Sequence, residues 1–163
     1  WASAATTAGC AGAGARRGRP RTREPARRAV VTGLGAITPI GNDAETFWRN
    51  LLAGTSGVAP ISAYDASSEE VRIAAEVKGF DPATWIDFKQ ARRMSRFSQF
   101  AVAAAAQAIA DSRLQITDAN RNEIGVVVNT GGGGIGDVAL GERVFLEQGG
   151  KRVSPFMVPM LSP

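Results

Sequence analysis

The stretch VVNTGGGGIGDV, residues 127–138, places four consecutive glycines directly after an apolar run. Residues 124–130 are typical of a buried strand, and a helix is predicted over about residues 135–148. Glycine is needed where the backbone takes a positive φ or passes close to another group. The order of strand, glycine run and helix therefore predicts a crossover whose bare backbone borders either a ligand or a tightly packed neighbour.

Outside this stretch, strand and helix patterns continue to alternate along the chain. A capping-box arrangement begins at Asn42, Gly54 stands where a helix should end, and Asp81-Pro82 is a helix start signal. A long helix is predicted from about Lys89 to Asp111, and its Ala-rich second half should be buried. Further strands are predicted at residues 29–32 and 71–77. Such alternation predicts an α/β layered fold with a mainly parallel sheet.

The composition excludes several kinds of site. The 163 residues contain no histidine and a single cysteine, Cys10. A disulfide framework and a paired-cysteine metal site are therefore excluded, and the most frequent general base and zinc ligand is missing. No apolar run approaches the roughly 18 residues of a membrane helix. We expect no metal, no cofactor and no membrane association.

The net charge of +4 is concentrated at the N-terminus, where residues 1–29 hold seven arginines and one glutamate. Residues 1–27 form an Ala/Gly/Arg-rich tail that we expect to be disordered and interpret as foreign to the native coding sequence. Two alternatives remain: electrostatic binding of nucleic acid and a plastid-type targeting peptide. Because no recognition motif accompanies the arginines, we expect no nucleic-acid partner.

The glycine run also permits a nucleotide-binding interpretation. Gly131, Gly133 and Gly136 satisfy the G-x-G-x-x-G pattern between a predicted strand and a predicted helix. A dinucleotide site also needs an acidic residue at the end of a second strand about twenty positions further on. That stretch instead holds two glycines, two basic residues and a proline-rich run. A nucleotide-binding domain is therefore a remote alternative to a closely packed crossover.

Four basic residues cluster at the start of the predicted long helix. Lys89, Arg92, Arg93 and Arg96 fall within an arc of about 100° on a continuous helix. Cations near a helix N-terminus oppose its macrodipole and repel one another, which is unfavourable for stability alone. The cluster predicts either an ordinary solvated surface or a docking patch for an acidic partner. Lys151 and Arg152 would extend this patch if the fold brought the two segments together.

Several long segments resemble one known family in order and spacing. They are residues 28–61, RAVVTGLGAITPIGNDAETFWRNLLAGTSGVAPI, residues 89–112, KQARRMSRFSQFAVAAAAQAIADS, residues 124–136, IGVVVNTGGGGIG, and residues 151–160, KRVSPFMVPM. The family is the beta-ketoacyl-acyl-carrier-protein synthases of the condensing-enzyme, thiolase-like superfamily, and the similarity is greatest to the long-chain, second-type synthases.

The resemblance implies a thiolase-like fold and a cytoplasmic, homodimeric acyltransferase of fatty acid biosynthesis. Such an enzyme condenses an acyl thioester with malonyl-carrier protein, losing carbon dioxide. The resemblance places the nucleophilic cysteine and the histidines of the family beyond Pro163. Residues 28–163 are therefore expected to be a partial N-terminal ketosynthase domain that has no catalytic residue and is inactive alone.

The resemblance also assigns site residues. The docking surface for acyl carrier protein is implied at Lys89, Arg92, Arg93, Lys151 and Arg152. Gly132 falls where second-type synthases usually carry an isoleucine that gates the acyl pocket, and glycine has no side chain that could act as such a gate. Met157 falls at a position that lines the acyl pocket of the dimer mate. A polyketide ketosynthase and a non-catalytic ketosynthase-like partner subunit remain alternatives.

Overall fold

The computed structural model describes residues 28–161, so the predicted tail, residues 1–27, and Cys10 lie outside the described residues. The described residues contain five α-helices and one two-stranded sheet. The helices are α1 (Ala44–Leu52), α2 (Phe88–Ala91), α3 (Arg96–Ser112), α4 (Ile135–Gln148) and α5 (Met157–Met160), and the strands are β1 (Val58–Pro60) and β2 (Ile73–Ala75).

The first helix, α1, begins one residue later than the capping pattern predicts. Its N-cap is Asp43, whose carboxylate accepts a 2.7 Å hydrogen bond from the amide of Thr46. The prediction of Asn42 as the cap is wrong, because its side-chain amide donates to the carbonyl of Lys78 at 2.9 Å. Gly54 follows the helix with a φ of +68°, as the predicted glycine end requires.

The only sheet of the described residues is antiparallel. β1 and β2 pair with Val58 opposite Ala75 and Pro60 opposite Ile73. The strand predicted over residues 71–77 is therefore confirmed over its central three residues. The prediction of a mainly parallel sheet is wrong for the described part of the chain.

Two other predicted strands, at residues 29–32 and 124–130, have no regular secondary structure. Val31 is 79% exposed and Val127 is 95% exposed. Strands of a parallel sheet are stable only with hydrogen-bonded neighbours and with both faces covered. Residues 28–161 supply neither for these two apolar segments.

The predicted long helix is broken near its start. α2 ends at Ala91, the chain turns through residues 92–95, and α3 begins at Arg96. Ser95 precedes α3 with φ −64° and ψ 156°, the extended geometry of a residue at an N-cap. The prediction of one continuous helix from Lys89 is therefore wrong at its N-terminal end.

Residues 33–36 lie directly against α3. A Cβ atom on Gly33 or Gly35 would overlap the carbonyl oxygen of Ala108 or Ala104, respectively, so this approach requires glycine. α3 itself is only partly buried: Ala103 is fully enclosed, but other positions of the Ala-rich half are half-buried or exposed. The prediction of a buried Ala-rich helix is therefore confirmed only for the side of α3 that contains Ala103.

Side chains of α3 satisfy the backbone of the same segment. The amide of Leu34 donates to Asp111 at 2.8 Å, and the amide of Ala36 donates to Gln107 at 3.0 Å. These bonds replace the ladder hydrogen bonds that a strand would make, so side chains of α3 hold residues 33–36 in place. Within the described residues, no helix is long and apolar enough to cross a membrane.

Candidate functional site

Three of the predicted docking residues line one cavity of about 340 Å³ beside the break between α2 and α3. They are Lys89, Arg92 and Arg93, all exposed, and Ser154 and Phe156 from the segment before α5 complete the wall. No carboxylate lines the cavity. Among the described residues, none of these three cations has a carboxylate within ion-pair distance. Their charge can therefore act on an anion from outside.

Two of the guanidinium groups rest on aromatic rings. The Arg93 guanidinium carbon lies 4.6 Å from the ring centroid of Phe156, and that of Arg92 lies 5.7 Å from the ring centroid of Phe88. Such cation–π contacts hold the guanidinium group over a ring face. A guanidinium group carries five N–H donors, so each of these groups remains able to donate hydrogen bonds to an anion.

Arg92 also lines a second cavity of about 290 Å³, together with Arg152. The remaining wall combines apolar side chains, among them Leu140, Val144 and Met157, with Asp137 and Ser154. The structure thus brings Arg152 to the same cationic surface as Arg92, as the sequence required for an extended patch. Lys151 is exposed in the same short 3₁₀ turn, Gly150–Arg152, but is not part of the wall.

Arg96 is separated from the other three cations of its segment. Because the helix breaks at Ser95, the predicted single arc of four does not form. The Arg96 guanidinium carbon lies 5.1 and 5.0 Å from the ring centroids of Phe80 and Phe100, which pack edge to face. It shares another cavity with Glu76, whose pKa is held below its ordinary value by the hydrogen bond from the Ser62 hydroxyl.

Ser95 is a key residue that sequence reasoning missed. It is only 2% exposed, and its Oγ makes a very short hydrogen bond with the Asp137 carboxylate and lies 2.5 Å from the carbonyl oxygen of Met160. One side chain thus joins the start of α3, the first turn of α4 and the end of α5. The available signal was a serine inside a predicted helix, because serine favours N-cap positions over helix interiors.

The glycine run packs against the end of the described chain. Gly133 has a φ of +55°, and a Cβ atom on it would lie 2.5 Å from the carbonyl oxygen of Leu161. A Cβ atom on Gly134 would lie 2.7 Å from both the Met160 carbonyl oxygen and the Ser95 hydroxyl. Residues larger than glycine would be strained at the first position and would clash at both. The closely packed crossover is therefore what these two glycines provide.

The remaining glycines of the run have open surroundings. No atom lies within 4 Å of a Cβ atom built on Gly131 or Gly136. Gly132 is exposed, and its Cβ would meet only the Ile135 side chain, at 3.9 Å. A cavity of about 410 Å³ beside the run is lined by two aromatic rings, by glycines of the run and by Ser95, Arg96 and Asp137, but Gly132 is not part of its wall. The fold thus leaves space for a side chain at Gly132.

Met157 packs elsewhere than Gly132. Its sulfur occupies the space where a side chain on Gly141 of α4 would stand, and Met157 lines the cavity shared by Arg92 and Arg152. Gly132 does not line this cavity, so the structure does not bring Gly132 and Met157, the two residues assigned to an acyl pocket, together. In the described part of the chain, no cluster of three or more acidic, Cys or His side chains is arranged to hold a metal ion.

Comparison with known proteins identifies the family. Residues 26–163 match the family model described as "Beta-ketoacyl synthase, N-terminal domain". Over 135 residues the chain is 47% identical to 3-oxoacyl-[acyl-carrier-protein] synthase 2 of Synechocystis sp., covering 83% of this chain and 32% of the relative. The chain therefore spans about a third of the length of this curated relative.

Solved structures place the fold among the ketosynthases. The ishigamide ketosynthase/chain length factor matches with a TM-score of 0.68 and 31% identity, over 82% of this chain and 33% of the other. A type II polyketide synthase ketosynthase, solved with its acyl-carrier protein and bound to a hexaketide, matches with a TM-score of 0.63 and 25% identity, over 82% and 35%. The predicted thiolase-like α/β class is thus confirmed, and the chain belongs to the beta-ketoacyl synthase family, whose N-terminal domain it carries.

Proposed function

We propose that this chain is the N-terminal portion of a 3-oxoacyl-[acyl-carrier-protein] synthase of fatty acid biosynthesis. The observation that carries the proposal is the 47% identity to the Synechocystis synthase over 135 residues. The reaction is the condensation of an acyl thioester with malonyl-carrier protein. Loss of carbon dioxide leaves a carbanion that attacks the acyl thioester carbonyl, forms the new carbon–carbon bond and releases the thiolate that carried the acyl group.

The described residues contribute to this reaction by binding the carrier protein. Condensation needs a thiolate nucleophile and donors that stabilise the developing oxyanion. Histidine is absent from the chain and Cys10 is its only cysteine, so the described residues supply neither the thiolate nor an imidazole donor. Their contribution is to capture the carrier protein and to orient its acyl-bearing arm, which makes the reaction effectively intramolecular.

The docking surface for the carrier consists of Lys89, Arg92, Arg93, Lys151 and Arg152. Three of these side chains line one cavity, and Arg92 and Arg152 line the adjoining one. A surface of one sign accelerates encounter with a partner of the opposite sign and fixes its orientation. The structural neighbour that was solved with an acyl-carrier protein supports this assignment.

A homodimer is part of the proposal, because the described residues leave large apolar side chains uncovered. Val127 is 95% exposed and Leu146 of α4 is 74% exposed. Large apolar side chains left exposed in this way indicate surfaces that pack against further polypeptide. The segment over residues 124–130 and the outer face of α4 are the surfaces we assign to the remainder of the synthase and to its dimer mate.

A polyketide ketosynthase, or a non-catalytic partner subunit of one, is the second candidate. It is favoured by the match to the ishigamide ketosynthase/chain length factor, at 31% identity. The residue at the nucleophile position distinguishes these possibilities: a cysteine at a strand-to-helix turn indicates an enzyme, whereas another residue indicates the partner subunit.

A hybrid synthase tests the proposed function. Residues 28–163 replace the matched third of the Synechocystis synthase, whose own remainder supplies the nucleophile. We expect carrier-dependent condensation of an acyl thioester with malonyl-carrier protein, measured as 3-oxoacyl product. A folded, dimeric hybrid that makes no product would contradict the proposal. A rise in melting temperature on addition of NAD would instead support the nucleotide-binding alternative.

A further inference from the structure

We infer that Ser95 is a positioning residue of the proposed synthase. Its buried hydroxyl fixes the docking turn, residues 92–95, relative to the two segments that hold the assigned acyl-pocket residues, the glycine run and α5. The inference rests on the proposed function and goes beyond it. Charge complementarity alone requires no connection between a docking surface and an acyl pocket, whereas this hydroxyl joins the segments of both into one unit.

The Ser95 hydroxyl is directed away from the helix that it precedes. A serine at an N-cap ordinarily accepts a hydrogen bond from an amide of the first helical turn. Ser95 has the extended backbone of an N-cap but makes no such bond. Its hydroxyl proton is instead shared between the Asp137 carboxylate and the Met160 carbonyl oxygen, and the residue is 2% exposed. A tertiary contact therefore takes the place of a local stabilising bond.

The docking turn is firmly joined to Ser95. The amide of Met94 donates to the carbonyl of Ala91 at 3.2 Å. The side-chain amide of Gln99, from the first turn of α3, donates to the carbonyls of Ala91 at 2.9 Å and of Met94 at 3.4 Å. Because these bonds hold the turn at both ends, fixing Ser95 also fixes the backbone of the two arginines that precede it.

The glycine run packs on the other side of the hydroxyl. A Cβ atom on Gly134 would lie 2.7 Å from the Ser95 Oγ, so the crossover backbone passes directly beside it. Asp137, in the first turn of α4, lines the cavity beside the glycine run and also the cavity that Arg92 shares with Met157. The pair formed by Ser95 and Asp137 therefore lies between the docking surface and the glycine run.

This arrangement matters for delivery of the acyl group rather than for capture of the carrier. Once a carrier protein has docked, the position of the docking turn decides where its acyl-bearing arm can reach. A displacement of about 1 Å can slow a reaction by about 100-fold. Loss of the hydroxyl should therefore slow acyl transfer from the carrier, while the docking arginines keep their charge and hold the carrier about as tightly as before.

The test compares two donors of the same acyl group in the hybrid synthase, the acyl carrier protein and a small soluble thiol. In each case the enzyme cysteine attacks the thioester carbonyl and the donor leaves as its thiolate, and the rate is measured in a single turnover. We expect Ser95→Ala to slow transfer from the carrier about tenfold, and transfer from the small thioester by less than about twofold. The dissociation constant for the carrier should also change by less than about twofold. A residue that serves only stability would reduce both rates by the same factor, because both donors need a folded enzyme.

Variants at neighbouring positions separate this contact from a general loss of packing. Ser98→Ala is the matched control, because it removes a buried hydroxyl that has no partner among the described residues, and it should leave both rates unchanged. Asp137→Leu removes the acceptor and should reproduce the selective loss, whereas Asp137→Asn keeps an acceptor oxygen and should show a smaller loss. The double variant of Ser95→Ala and Asp137→Leu should be little slower than Ser95→Ala alone, because both changes remove the same interaction.

Hydrogen exchange in the full 163-residue chain gives a second readout that does not depend on activity. The amides of Asp137 and Val138 donate to the carbonyl of Gly134 at 2.9 and 3.1 Å, and the amide of Met160 donates to that of Phe156 at 3.0 Å. These amides should exchange about tenfold faster in Ser95→Ala, because the hydroxyl no longer holds the first turn of α4 and the end of α5 together. Their exchange should be unchanged in Ser98→Ala.

The outcomes separate this inference from the proposed function. Equal slowing of both donors by Ser95→Ala, or no slowing of either, would overturn the positioning role and leave the proposed function standing. Unchanged hydrogen exchange in Ser95→Ala would also overturn it. A wild-type hybrid that accepts no acyl group from the carrier would overturn the proposed function, and the exchange measurement would still decide whether the hydroxyl holds these segments together.

Discussion

Replacing Ser95, the residue before α3, with alanine should destabilise the fold more than loss of the hydroxyl of Ser98 or Ser112 within α3. Ser95 is 2% exposed, and its single hydroxyl proton is shared between two acceptors, the Asp137 carboxylate and the Met160 carbonyl oxygen. A hydrogen bond to a charged group contributes about 1.5–3 kcal/mol, and a buried acceptor left without a donor costs about 1–3 kcal/mol. Since these two estimates describe the same loss, we expect the free energy of unfolding to fall by about 2–3 kcal/mol.

Ser98→Ala is the matched control for this prediction. Ser98 lies in the first turn of α3, three residues after Ser95, and is 6% exposed, but its hydroxyl has no partner among the described residues. An unpartnered buried hydroxyl is unfavourable, so its removal should leave stability unchanged or raise it by up to about 1 kcal/mol. Urea denaturation of the full chain, followed by tryptophan fluorescence, measures both variants. Equal effects, or a loss below about 0.5 kcal/mol for Ser95→Ala, would refute the reasoning.

Three further predictions follow from local geometry. Asp43→Asn should lower the free energy of unfolding near neutral pH, because the hydrogen bond from the Thr46 amide lowers the Asp43 pKa and so stabilises the folded state. This stabilisation is lost as the pH falls through the lowered pKa. In denaturation curves, the difference in stability between the wild type and the variant should therefore shrink below about pH 4. Gly35→Ala should cost about 1–3 kcal/mol or more through overlap with α3, whereas Gly125→Ala, which has open space, should be tolerated; equal melting temperatures would contradict this. Gly132→Ile should leave the melting temperature unchanged, but in the hybrid synthase it should restrict long acyl primers more than short ones, and unchanged product lengths would argue against a gate at this position.

Features set by neighbouring residues could be predicted from the sequence. The glycine after α1, the Asp81 cap and the bounds of α4 are confirmed, because each depends on side chains within a few positions of the backbone they stabilise. The family could also be identified, because its segments occur in order along the chain. These local signals carry little information about which distant segments will meet.

The errors arise where distant residues decide the local structure. Residues 124–130 have the composition of a buried strand, but a strand forms only where partners supply hydrogen bonds, and the described residues do not supply them. The helix breaks at Ser95 because its hydroxyl reaches Asp137 and Met160, which lie 42 and 65 positions away. For the same reason, the part played by Ser154 and Phe156 in the cationic cavity could not be predicted from the sequence.

Carrier binding by a charge-reversed chain tests the central claim most directly. The triple change Lys89→Glu, Arg92→Glu and Arg93→Glu turns the cationic cavity wall acidic, and like charges across an interface cost several kcal/mol. Calorimetry should show that association with the carrier protein is abolished at an ionic strength where the wild-type chain binds. Reversal of Arg121 and Arg143, which lie outside both cationic cavities, should have little effect. Undiminished carrier affinity in the folded triple variant would contradict the account.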